Sequence, residues 1–107
     1  MIVVTTDLIP GREIVETLGL VRGNSVRARH ALRVVAAVFK QFFGGEVHEY
    51  TKLLAETREQ ALDRMLAEAR AQGADAVVGV RFASSEISAA AAEFMAYGTA
   101  VKLAPKR

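Results

Sequence analysis

The stretch Gly73-Ala-Asp-Ala-Val-Val-Gly-Val80 decides how this chain folds. It follows a long amphipathic helical pattern and opens an apolar run, so a helix stop, a turn and a buried strand start fall within eight residues. Gly73 suits the left-handed conformation in which helices end, and Ala74-Asp75 completes the turn. From Ala76 to Phe82 alternation places Val78, Val80 and Phe82 on one face of a strand, with Val77, Gly79 and Arg81 on the other. Gly79 leaves room there for close approach.

The preceding helix is expected over Glu49–Gln72. Leu54, Ala61, Leu62, Met65, Leu66 and Ala69 form its apolar stripe, and Glu56, Glu59, Asp63 and Glu68 its polar side. Arg64 and Glu68, four apart, are placed to pair. An earlier helix is expected over Ala28–Phe43, with Asn24 and Ser25 as stop or cap residues before it and Gly44-Gly45 after it. Ala31, Val35, Val38 and Phe42 follow helical spacing, and Leu32, Val34, Phe39 and Phe43 widen the stripe.

Three further segments read as strands. Ile2–Thr6 is a β-branched run ended by the turn signal Pro10-Gly11. Glu13–Val26 puts Ile14, Leu18 and Leu20 on one face and Val15, Thr17 and Val21 on the other. Gly19 and Gly23 mark a bulge, a bend or a close backbone approach. Glu93–Leu103 puts Met95, Tyr97, Thr99, Val101 and Leu103 on one face and Phe94, Ala96, Gly98 and Ala100 on the other. Ser84–Ala92 reads as the hairpin connection before it.

The order is β-β-α-α-β-β: an α+β subunit with two helices packed on a mainly antiparallel four-stranded sheet. Helices cover one sheet face; the other is too apolar to stay wet, so its burial is expected to come from other subunits. A chain of 107 residues with 51% hydrophobic content fits one domain spanning residues 1–107, with surplus apolar surface for self-association. The chain has no cysteine, which excludes disulfides and thiolate sites. The start lacks a basic region followed by a long apolar stretch, and the apolar run Val34–Phe39 is too short to span a bilayer, so a soluble cytoplasmic protein is expected, with no membrane partner.

The residues Gly44-Gly45, Tyr50, Leu54, Ala61 onward to Gly73–Val80, and Tyr97-Gly-Thr-Ala-Val-Lys102 resemble the YbjQ-like family across essentially the whole chain. That family is uncharacterised and labelled "putative heavy-metal-binding". The resemblance implies a compact subunit assembling into a ring, most often a homopentamer. By the family label alone it implies a divalent or heavy-metal ion. The family supplies no ligand motif to carry onto particular residues.

The residues offer little chemistry. Heavy-metal sites need three or four converging donors, and this chain has only His30 and His48 as imidazoles. His48 with Glu46 or Glu49 is the metal candidate, assembled from symmetry copies. His48-Glu49 starts like a zincin motif, but position 52 is Lys52 where a second histidine is needed. His30 sits among Arg27, Arg29 and Arg33, poor company for a cation. Ser84, Ser85 and Ser88 lack a nucleophile elbow and a His-Asp partner, and no Gly-rich phosphate motif occurs. No enzyme is expected, and no catalytic or cofactor-binding residue is assigned.

Charge is uneven despite a net +2: no acid lies between Glu16 and Glu46, where Arg22, Arg27, Arg29, Arg33 and Lys40 fall. The expected role is a non-enzymatic homo-oligomeric ring acting as a binding or scaffold protein. The alternative is anion or nucleic-acid binding through Arg22–Arg33, with Arg27 and Arg29 holding an anion at a helix N-terminus. Pairing of these arginines with Glu13, Glu16 or Glu93 is the plainer reading, and nucleic acid is not expected, because no aromatic motif accompanies the arginines.

Overall fold

A computed structural model describes residues 1–28, 48–88 and 91–106, with backbone alone for 26–28, 48–53, 85–88 and 91–92. It holds strands β1 (Ile2–Val3) and β2 (Ile14–Ala28), helix α1 (His48–Ala71), and strands β3 (Ala76–Ser88) and β4 (Ala91–Leu103). The four strands form one mixed sheet in the order β1-β3-β4-β2. β1 runs parallel to β3, while β4 is antiparallel to both β3 and β2. The α+β class and the mainly antiparallel four-stranded sheet are as expected. The helix expected over Ala28–Phe43 lies outside the described residues apart from Ala28, which is the last residue of β2.

Gly73–Val80 behaves largely as its chemistry dictates. Gly73 has φ +78 and its N–H donates to the Arg70 carbonyl at 3.0 Å, while Ala74 N–H donates to Ala69 at 3.1 Å. Those two bonds are the Schellman ending of a helix. Ala69, fully buried, and Ala74 meet in the same apolar cluster, which completes it. Asp75 then ties strand to strand: its N–H donates to Val101 O at 2.9 Å and its Oδ2 accepts from Leu103 N at 2.9 Å.

The apolar core divides between the two sheet faces. Under α1, Val21, Ala61, Met65, Ala69, Val77, Val80, Ala96 and Ala100 form one cluster. On the opposite face Ile9, Ala76, Val78, Val101 and Leu103 form a second, with Ile2, Val4 and Ile14 against it. Part of that second face is therefore closed within the chain, because the β1–β2 connection folds Ile9 across it. The expectation that other subunits must bury the whole face is corrected to this extent.

Simple alternation fails where the strands bulge. Gly79, at φ +61, sits in the register shift between Val78 and Arg81. The extra residue sends both Val77 and Val80 to the helix side, where strict alternation would separate them. A Cβ at Gly79 would meet nothing closer than Asp7 Oδ1 at 3.6 Å, so this glycine serves the bulge and not a close approach. The shifts at Ile14/Glu16 and Thr17/Gly19 do the same in β2. Val21 joins Leu18 under the helix, fully buried, and Leu20 turns to the other face at 63% exposure.

The strands also outrun their sequence boundaries. Ser84–Ala92 is not a loose connection: β3 continues to Ser88 and β4 begins at Ala91. β4 is flanked by β2 and β3 as far as Ala91, and this continuous two-sided pairing of backbone groups overrides the weak strand preference of serine and alanine.

Candidate functional site

The metal candidates do not form a described cluster. His48 opens α1 and Glu49 follows in its first turn, while Glu46 and His30 lie outside the described residues. Among the described residues no three His, Asp or Glu side chains converge in a way that could hold an ion.

The anion candidates are placed differently from expectation. β2 continues through Asn24, Ser25 and Val26 to Ala28, so Arg27 is a strand residue paired with Ala92 and not the start of a helix; Arg29 is outside the described residues. The reason lies in what Asn24 and Ser25 bond to. Asn24 Nδ2 donates to Glu93 Oε2 at 3.0 Å across the β2–β4 ladder, and Ser25 Oγ donates to Gln60 Oε1 of α1 at 2.6 Å. Their side chains join strand to strand and sheet to helix, where capping would have spent them on local N–H groups. Glu93 thus meets an asparagine of β2, and Arg22, on the same face, is exposed.

The Ser25–Gln60 bond belongs to a polar seam between α1 and β2. Among the described residues, Ser25 and Thr57 are the fully buried polar residues of the core. Arg64, which spacing paired with Glu68, sends Nη1 to the Asn24 carbonyl. Beside them Gly23 admits the helix backbone itself: a Cβ there would stand 2.2 Å from Ala61 O and from Met65 N. The seam fixes the height and rotation of α1 on the sheet; it leaves no space for a ligand.

A second polar knot closes the end of β1. Gly79 N–H donates to Thr6 O at 2.8 Å and Val80 N–H to Val4 O at 3.0 Å. Arg81 Nη1 donates to Thr5 O and Val80 O, both at 2.8 Å. The guanidinium is thereby committed to carbonyls. A cleft of about 370 Å³ lies between Gly11, Arg12, Glu13, Ala104, Pro105 and Lys106, where Ala104 N–H donates to Glu13 O at 2.8 Å. It presents two cations and one carboxylate on an open surface, with no nucleophile.

The feature that stands out chemically is apolar and exposed. Leu20 is 63% exposed, Val15 57% and Phe82 49%. Phe82 is paired with the buried Ala96, so it lies on the helix side of β3, beyond Val77 and Val80, which α1 does reach; the helix packs mainly on β2 and β4. Sequence reasoning grouped Phe82 with the sheltered Val80 and Leu20 with Leu18. Only the signal of Gly19 as a bulge residue could have redirected Leu20. The exposure of Phe82 depends on where the helix lands.

A family model described as "Putative heavy-metal-binding" matches residues 1–104. A UPF0145 protein of Fervidobacterium nodosum is 58% identical over 103 residues, covering 96% of this chain and 95% of that protein. A UPF0145 protein of Photobacterium profundum is 55% identical over 103 residues, covering 96% of this chain and 100% of that protein. One from Methanoculleus marisnigri is 53% identical over 107 residues, 100% of both. A crystal structure of a protein of unknown function in the DUF74 family, from Pediococcus pentosaceus, matches 97% of this chain and 98% of that chain at TM-score 0.59 and 16% identity, a likeness of fold alone.

Proposed function

Because the chain belongs to the YbjQ-like family of UPF0145 proteins, we propose that it works as a non-enzymatic homo-oligomer, a pentameric ring in the cytoplasm, serving as a binding or scaffold protein. The observation that carries this reading is the exposure of the large apolar side chains Leu20, Val15 and Phe82, which self-association would take out of water. The described polar groups support binding or scaffolding over catalysis, since Arg81, Asp75, Asn24 and Ser25 are engaged in holding strands and helix together. Among the described residues no helix is long and apolar enough to cross a membrane.

Size-exclusion chromatography with light scattering, at micromolar protomer concentration, tests the assembly. A mass five times that of the chain is expected, and a well-behaved monomer would refute the reading. Metal binding enters through the family description alone. Elemental analysis of untagged protein after dialysis against zinc, copper and nickel tests it, with His48→Ala as the variant. The result expected is less than one metal per chain, unchanged by the substitution.

A further inference from the structure

Two margins of the sheet lack a strand neighbour among the described residues. β2 has β4 on one side only, and β3 has β1 and the residues just after it only as far as Val80, leaving Arg81–Ser88 open. Open margins present rows of unpaired N–H and C=O groups, which another strand satisfies best. These two margins match each other in two ways. The whole β3 margin, Arg81–Ser88, is level with the Arg22–Ala28 part of the longer β2 margin, since Tyr97 of β4 pairs with both Arg22 and Arg81, and Ala91 pairs with both Ala28 and Ser88. They run in the same direction, since both are antiparallel to β4.

We infer that the partner of each margin is a second copy of this chain, joined head to tail: residues 22–28 of β2 in one copy add in parallel to residues 81–88 of β3 in the next. The inference rests on the homo-oligomer reading and names the surface that makes it. Rotation about an axis along the strands brings the β2 margin of one copy against the β3 margin of its neighbour without reversing either. Each copy then uses two different surfaces, the heterologous arrangement that closes into a ring. Closure tilts the strands, so the register moves off level.

The same contact accounts for Phe82. It projects on the helix side at the open margin of β3, and the incoming β2 carries α1 on that side. The neighbour's helix therefore covers the ring that this copy's helix leaves bare. On the far face, Leu20 and the half-buried Met95, Tyr97 and Thr99 of successive copies come together.

The absence of cysteine makes the test clean. Arg22→Cys and Ala83→Cys place thiols at exposed positions on the face away from α1, as their pairings with Tyr97 and Met95 show. A short bis-maleimide crosslinker should convert most chains of the double variant into a covalent ladder on denaturing gels, while neither single variant crosslinks to itself. Phe82→Glu should reduce the native mass, whereas Leu8→Glu, exposed in the β1–β2 connection, should not. An oligomer that yields no ladder, or that keeps its full mass with Phe82→Glu, overturns the margin contact and leaves the oligomer reading standing. Self-crosslinking of Arg22→Cys overturns the head-to-tail geometry in favour of a two-fold contact. A monomer by light scattering overturns both.

Discussion

Gly23→Ala is the sharpest test of how α1 is seated. The added Cβ would lie 2.2 Å from the Ala61 carbonyl oxygen, 2.2 Å from the Met65 nitrogen and 2.8 Å from the Arg64 carbonyl carbon. All three are helix backbone, which cannot rotate aside as a side-chain end would. Restoring ordinary contact at about 3.5 Å requires α1 to lift by roughly 1 Å, enough to forfeit a quarter to a half of each dispersion contact across the gap. The residues that lose contact, Ala61, Met65 and Ala69, are fully buried. Overpacking of a core costs about 1–3 kcal/mol and more where nothing yields, so about 3 kcal/mol is expected here. In a domain of this size that corresponds to a fall in Tm of roughly 12–24 °C. Gly11→Ala is the control: it has open space around it but φ +78, so backbone strain of about 1–2 kcal/mol acts alone. Urea titrations followed by circular dichroism, at one fixed protomer concentration, give both values. A Gly23→Ala midpoint within about 0.5 kcal/mol of the parent, below the ordinary range for core overpacking, would refute the close helix–sheet contact.

Asp75→Ala removes the acceptor of Leu103 N–H at the junction of β3 and β4; a loss of about 1.5–3 kcal/mol is expected for a bond to a charged group, read by the same titration. Ser25→Ala deletes the 2.6 Å bond to Gln60 inside the helix–sheet seam, with about 1 kcal/mol expected and faster hydrogen exchange at the seam. Gly73→Ala places a Cβ at φ +78 where Lys102 Cε, 3.8 Å away, leaves ordinary room. Its cost should be the backbone term alone, about 1 kcal/mol, and equal stability of parent and variant would argue against the Schellman ending. Met65→Ala empties the largest fully buried side chain among the described residues, with about 2–5 kcal/mol expected in chemical denaturation.

Much of the secondary structure was legible because its signals are local. The helix stripe from Leu54 to Ala69 and the stop at Gly73 depend on neighbours within a turn, and α1 ends where that glycine requires. Gly19 and Gly23 were legible as special positions but not in kind: one is a bulge at φ +121, the other a site of backbone approach. That distinction depends on what lies opposite, which spacing does not contain. Asn24 and Ser25 were misread as caps for the same reason, since their partners Glu93 and Gln60 are 69 and 35 residues away. Arg27 accordingly sits in a strand where a helix N-terminus was expected.

The sequence by itself determined the α+β class, the 24-residue helix, the turn at Gly73–Asp75 and the surplus of apolar residues. Tertiary structure alone decided which of those apolar residues are sheltered. A single extra residue at a bulge exchanges the two faces of everything beyond it, so Val80 and Val21 went inward and Leu20 outward. The landing of α1 on β2 and β4 left Phe82 half exposed and, among the described residues, the distal margin of β3 without a strand neighbour. Alternation along a strand carries hydrophobicity but not the phase of the pleat, and that phase is what sets the surface this chain offers to another copy.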